Sequence, residues 1–174
     1  MPVMEFDPTP FILCDPGQRP AKPRPMGTPE GLGDRMRTAA FAEYQAIAAF
    51  TWAAEVFTDA PSALRQAWRD QIEDERRHCR MIMDRMAELD FPVDDRPVTL
   101  SLTESLRTCA TARDFCIRIA SAEERGRQAG ERLCAFLVGK DEVTAALFRQ
   151  IADEEVAHVT LAETFFGWTP DQPV

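Results

Sequence analysis

Of 174 residues only two are histidine and one is tyrosine, and eighteen of the twenty basic side chains are arginine. No apolar run approaches the roughly 20 residues that cross a bilayer as a helix, so no membrane association is expected. The opening MPVMEFDPTP has acids and prolines where a secretory leader has a basic and then an apolar stretch, so a cytoplasmic protein is expected. Basic residues do not cluster, and the net charge of −9 repels phosphate backbones, which argues against nucleic-acid binding. The five cysteines (Cys14, Cys79, Cys109, Cys116, Cys134) include no C-x-x-C pair. Their odd number argues against a disulfide framework, and their spacing excludes a zinc-ribbon or rubredoxin-type module. Four of them fall in helical patterns, where a reduced cysteine packs as a small apolar residue.

What is present is a globular composition, 45% apolar and 28% charged, in a length that suits one compact domain. Eight of the thirteen prolines lie in the first 29 residues. Residues 1–28 therefore read as an extended arm, with Phe11, Ile12 and Leu13 as its docking point. Residues 29–170 read as the domain proper. Thr28-Pro29-Glu30 is a helix start, with a Thr cap and Pro at the first helical position. Apolar residues then recur every three or four positions through Phe57, with Gly31 and Gly33 weakening the first turns. TDAPS breaks the pattern, and a second helix is expected from Ser62 to Leu89. After the connection DFPVDDRPVTL, a short helix is expected over Thr103–Ala110 with Thr103 as cap. A third long helix follows over Thr111–Val138, and a fourth runs from about Asp141 to Phe166. No segment alternates with period two. The expected fold is all-α, a ferritin-like four-helix bundle of two antiparallel helical hairpins joined by a crossover.

Each histidine closes the same unit. Glu75-Arg76-Arg77-His78 falls on the second helix and Glu155-Val156-Ala157-His158 on the fourth. A spacing of i, i+3 puts Glu and His on one face, and both units lie on the apolar stripe, where four such polar groups are costly unless compensated. Glu43 occupies the inward stripe of the first helix and Glu123 that of the third. Glu43 precedes Glu75 by 32 positions, and Glu123 precedes Glu155 by the same number. Measured from the hairpin turn, Glu43 and Glu75 both climb about 20 Å at 1.5 Å per residue. The second hairpin gives nearly the same height. All six groups are thus expected in one layer. One Glu from each of two helices and one E-x-x-H from each of the others is the di-iron carboxylate set. Two divalent ions are expected, with Fe favoured and Mn or mixed Fe/Mn also suited.

Several neighbours compete for these roles. Glu124 rivals Glu123, with stripe position and equal spacing favouring Glu123. Glu55 is too near the turn to replace Glu43. Asp74 and Glu154 each precede a histidine by four and are candidate acceptors for imidazole N–H groups, against the alternative of ordinary exposed acids. Cys79 is expected to pack near the site rather than bind metal. Tyr44 points about 100° from Glu43, which argues against a radical role, and Trp52, Trp68 and Trp168 suit aromatic packing better than electron relay. Arg127 stands where an apolar residue is expected.

The paired E-x-x-H pattern resembles that of the ferritin-like, rubrerythrin-related di-iron carboxylate superfamily. The strings GQRPAKP, GTPEG, AEYQAIAAF, EDERRH, EERG and DEEVAHV are further similar to an uncharacterised bacterial ferritin-like family known only as a domain of unknown function. They cover nearly the whole chain from Gly17 onward. The resemblance implies a metal-binding four-helix bundle and favours Glu123 over Glu124. It implies no substrate.

The expected function is that of an oxidoreductase activating dioxygen or peroxide at a Glu4His2 site, with an unidentified small-molecule substrate. Its electrons would come from a separate donor, because no rubredoxin or flavin motif is present. The alternative is a non-catalytic, iron-oxidising or storage protein. Cage storage is disfavoured because eight residues, two of them Pro, follow Phe166. A structural protein that has lost its metal is disfavoured by the retention of all six ligand types. The abundance of Trp and Phe makes a homodimer a further expectation.

Overall fold

The computed structural model describes residues 4–5 and 7–174; the part of the expected arm at residues 1–3 and at Phe6 lies outside the described residues. Five helices form: α1 (Pro29–Val56), α2 (Ser62–Glu88), α3 (Ser101–Leu106), α4 (Ala112–Leu137) and α5 (Glu142–Phe166). Among the described residues there is no strand, only one isolated parallel bridge between Leu13 and Val98. No helix is long and apolar enough to cross a membrane.

The starts follow local chemistry. Thr28, Thr111 and Asp141 each accept the backbone N–H three residues on, from Gly31, Asp114 and Thr144, and so satisfy one of the donors that a helix N-terminus leaves unpaired. Short links return α2 along α1 and α5 along α4, and these two pairs make the most extensive helix contacts. Apolar burial divides into two clusters. One joins the second half of α1 to the first halves of α2 and α4, through Phe50, Phe57, Trp68 and Phe115. The other joins the first half of α1 to the second halves of α2 and α4 and the start of α5, through Phe41, Ile82, Leu133 and Phe148. This pairing of opposite halves makes α1 antiparallel to both α2 and α4. The polar layer of the helices lies between the clusters.

Three local expectations are corrected. The short helix begins at Ser101, two residues before Thr103. Thr103 is fully buried within it and spends both its N–H and its hydroxyl on Gln45 Oε1 of α1 (3.1 and 3.0 Å), a tertiary partner that a capping pattern does not reveal. In the docking trio Phe11 is buried, with its ring 4.8 Å from that of Phe41, but the Ile12 side chain faces water. The backbone holds this segment instead, with Val98 N–H donating to Ile12 O and Cys14 N–H to Val98 O, both at 2.8 Å. Gly31, expected only to weaken α1, is where the preceding chain crosses the helix, since a Cβ there would meet Pro25 O at 1.9 Å. Only glycine permits that approach. The tryptophans Trp52, Trp68 and Trp168 are all buried.

Asp34 of α1 ties these parts together. Its carboxylate accepts from Arg24 of the N-terminal segment (Nε 3.0 Å, Nη2 2.6 Å), from Arg96 of the α2–α3 connection (2.6 Å) and from Arg37 (3.1 Å). Arg37 in turn donates to Pro92 O and Val93 O. Burial works against the ionised carboxylate, but Arg24 and Arg96 prevail and hold its pKa well below the ordinary range. A carboxylate with a depressed folded pKa contributes stability above its unfolded value, and that stability is lost as pH falls through the folded one. Asp34→Asn is therefore expected to cost about 3 kcal/mol near neutrality, because buried Arg37 and half-buried Arg24 and Arg96 lose their shared charged partner. The difference from wild type should shrink as pH is lowered below about 4, the unfolded carboxylate value. Urea denaturation of both proteins across that range measures this, and a constant difference would refute it.

Candidate metal centre

The heptads that build the helix pairs also aim four acids and two imidazoles inward. Glu75 and His78 of α2 are 1% and 0% exposed, and Glu155 and His158 of α5 are each 4% exposed. Glu43 of α1 and Glu123 of α4 are half-buried as residues. Their donor atoms fall into two groups, each with one atom per residue and all atoms within 4.8 Å of one another. The first is Glu43, Glu75, His78 and Glu155; the second is Glu75, Glu123, Glu155 and His158. The structure thus brings together all six residues singled out in the sequence. Glu75 and Glu155 belong to both groups, while each group has its own imidazole and its own outer glutamate.

The donor atoms converge without satisfying one another. Glu75 Oε1, Glu123 Oε1, both Glu155 oxygens, His78 Nδ1 and His158 Nδ1 are buried and have no hydrogen-bond partner. His158 Nδ1 comes within 2.9 Å of Glu75 Oε1, and His78 Nδ1 within 3.1 Å of Glu155 Oε1, but neither contact has the direction of a hydrogen bond. An unsatisfied buried polar group costs about 1–3 kcal/mol. Six of them amount to a cost comparable with the whole stability of an ordinary domain. Carboxylate and imidazole atoms gathered around shared points are the donor set of divalent transition-metal ions, and a cation supplies the missing partner. The residues present therefore fit a pair of such ions.

The outer nitrogens of the imidazoles are fixed from behind. His78 Nε2 donates to Glu154 Oε2 at 2.7 Å, and His158 Nε2 to Asp74 Oδ2 at 3.4 Å. A carboxylate only accepts, so Nε2 carries the proton and Nδ1 is left to ligate. The two acids are exchanged between helices: the acid of α5 holds the histidine of α2, and the acid of α2 holds the histidine of α5. Arg77 clasps both acids, donating to Asp74 Oδ1 at 2.7 Å and Glu154 Oε2 at 2.6 Å. Sequence reasoning passed over Arg77; its i+3 spacing from Asp74 was the available signal.

Charge within the layer is strongly coupled. Burial raises the pKa of Glu75 well above the ordinary range, with Glu43, Glu155 and Glu123 adding to the effect, and burial and Glu155 do the same for Glu123. Burial disfavours the imidazolium of His78, but Glu155, Glu43 and Glu154 outweigh it and raise its pKa to about 10. His158 is likewise raised against its burial to about 9, chiefly by Glu155 and Glu123. Burial pushes the Glu155 carboxyl up, but the two histidines prevail and its pKa is lowered. Glu154 is lowered to about 2, with its burial overcome by His78, Gln150 and Arg77. Ligation requires neutral imidazole and ionised carboxylate, so cation binding here exchanges protons for metal.

The rivals sort out by geometry. Glu124 is held by Arg127, which donates to its two oxygens at 2.7 and 2.9 Å and to Glu131. Arg127 occupies an expected apolar position because these two acids of its own helix pair with it at the surface. Cys79 lies outside both groups, with its Sγ 3.5 Å from Ala40 O. Burial, reinforced by Glu43 and Glu75, pushes its pKa up to about 12, so it remains a neutral thiol. Tyr44 packs its ring 5.9 Å from that of Phe11.

Metal content per chain separates these roles. Wild type is expected to take up two divalent ions, Glu75→Ala/His158→Ala neither, and Glu124→Ala both. Glu123→Ala should lose the ion of its own group while keeping the other. Removing Glu154 should weaken metal affinity by about 10–100-fold without abolishing binding, because it orients a ligand rather than acting as one; competition against a chelator measures this.

No curated protein and no solved structure matches the chain. A family model does, over residues 7–173, and its description is "Protein of unknown function (DUF455)". The match spans nearly the whole sequence, including every residue of the six-ligand layer, and the chain belongs to that family.

Proposed function

We propose that the protein is a ferritin-like, rubrerythrin-related di-metal carboxylate oxidoreductase that activates dioxygen or peroxide at Glu43, Glu75, His78, Glu123, Glu155 and His158. The observation that carries this reading is the sharing of Glu75 and Glu155 between two four-residue ligand groups. A single-ion site has no use for a second imidazole and a second outer glutamate. Two adjacent ions held by groups that share Glu75 and Glu155 would use all six residues. The order of the helices, with two antiparallel pairs and a long connection between α2 and α4, also supports a ferritin-like bundle of four long helices.

When bound, iron or an iron–manganese pair supplies redox chemistry toward dioxygen and peroxide. The chain supplies the setting. Glu75 and Glu155 set the spacing of the two sites, and His78 and His158 are locked in one tautomer by Glu154 and Asp74. Phe50 covers the layer on the side of His158, with ring centroids 6.5 Å apart, and excludes water there. Cys79 lies outside both ligand groups.

Oxygen uptake by the Fe(II)-loaded protein tests the proposal. With a chemical reductant in excess, uptake is expected to continue well beyond one equivalent per iron pair and to vanish in Glu75→Ala/His158→Ala. Uptake that stops at the amount needed to oxidise the loaded iron, with or without reductant, would identify iron oxidation or storage instead.

A further inference from the structure

Where α1 and α4 face each other, small residues leave the space between the helices unfilled. Between them lies a cavity of about 670 Å³, walled by Ala39, Ala42, Ala122, Gly126, Ala129 and Gly130. The carboxylates of Glu43, Glu75, Glu123 and Glu155 all line it. Glu75 and Glu155 are more than nine-tenths buried and present unpartnered oxygens. The size is that of a small-molecule pocket, and its floor is the ligand layer.

The charge around this cleft is unusual for so acidic a chain. Arg35, Arg118, Arg125 and Arg132 line it, the last three spaced every seventh residue along one side of α4. Among the described residues none of these four is paired with a carboxylate, whereas Arg127, which also lines the cleft, is held by Glu124 and Glu131. Arg35 Nη1 donates to Arg24 O and Gly31 O (2.9 and 2.7 Å), and Arg118 Nη1 donates to Ser105 O and Thr108 Oγ1 (2.8 and 2.6 Å). Arg125 donates to Ser121 Oγ (2.7 Å). Elsewhere the shielded arginines Arg24, Arg37, Arg77, Arg85 and Arg96 each pair with an Asp or Glu. Among the described half-buried arginines outside the cleft, only Arg65 lacks such a pair. A half-buried guanidinium held by neutral acceptors keeps its charge and its remaining N–H donors available to an anion. The two divalent ions of the proposed site would neutralise the four carboxylates below, so they would not oppose this.

We propose that the α1–α4 cleft binds a small anionic molecule with an apolar body, its carboxylate or phosphate held by the cleft arginines and its body lying between the Ala and Gly walls against the metal layer. This names the substrate class of the proposed di-metal site and rests on that reading. Arg35 and Arg118 are the fixed anchors because neutral hydrogen bonds hold each in place. Gly126 keeps the cleft open, since no atom lies within 4 Å of where its Cβ would be. A Cβ there meets no protein atom within 4 Å, and a residue other than glycine favours the helix.

Calorimetric titration of the zinc-loaded protein, which is redox-inert, tests this without turnover. The probes are octanoate, octyl phosphate and octanol. Octanoate or octyl phosphate is expected to bind, whichever is tighter identifying the head group, with octanol at least about tenfold weaker. Arg35→Gln or Arg118→Gln should weaken the anionic probe by about tenfold or more, the sensitive one locating the head. Gly126→Leu should retain its fold and zinc content and lose the probe. Octanol binding as tightly as octanoate would overturn the proposal, as would anionic probes that bind all three variants like wild type. Zinc content is measured on the same samples. A chain that holds no zinc defeats the di-metal reading, whereas probe binding reports on the cleft alone.

Discussion

Four carboxylates and two imidazoles packed midway along a helical core cannot be stable as an isolated set, because the atoms that face one another lack hydrogen-bond geometry and are shielded from water. Much of the surrounding structure can be understood as providing for that layer. The apolar clusters lie on either side of it, one along each half of the helices. The layer thus sits at the depth where four helices run side by side, and each ligand group draws on three of them. Polar groups are tolerated in a core when every member is satisfied, and here a cation would supply the missing satisfaction.

The second tier carries equal weight for function. A histidine ligates with a defined nitrogen only if the other nitrogen is committed, and Glu154 and Asp74 supply that commitment across the α2–α5 interface. Their exchange between helices makes ligand geometry depend on how α2 and α5 sit together, and Arg77 pins both acids. The site is therefore coupled to the helix pairing rather than to either helix alone. On the opposite side, the Ala and Gly residues of α1 and α4 leave the space between these helices unfilled, and an arginine-lined cleft reaches the layer there. One face of the layer is braced and the other is lined by a cavity, as the proposed centre would require.

The N-terminal segment is bound to the domain by a different interaction. Asp34 draws Arg24 and Arg96 onto α1, Gly31 lets the chain at Pro25 approach the helix, and Val98 pairs with the backbone of Ile12 and Cys14. These contacts join the segment, α1 and the α2–α3 connection at the end of α1 nearest the cleft residue Arg35.

The sequence by itself determined which segments are helical and which side chains share a helix face, because both follow from local periodicity, capping residues and proline placement. It also singled out Glu43, Glu75, His78, Glu123, Glu155 and His158, because the two E-x-x-H units and the equal 32-residue separations are distances along the chain that convert directly into helical height. Tertiary structure alone decided the partners. Thr103 became a buried donor to Gln45 instead of a cap, and Gly31 became the point where the chain at Pro25 crosses α1. Asp74 and Glu154 served histidines on each other's helices. Height along a helix is a one-dimensional property that the sequence carries, whereas the choice among neighbours at that height depends on the separation and rotation of whole helices, which only packing sets.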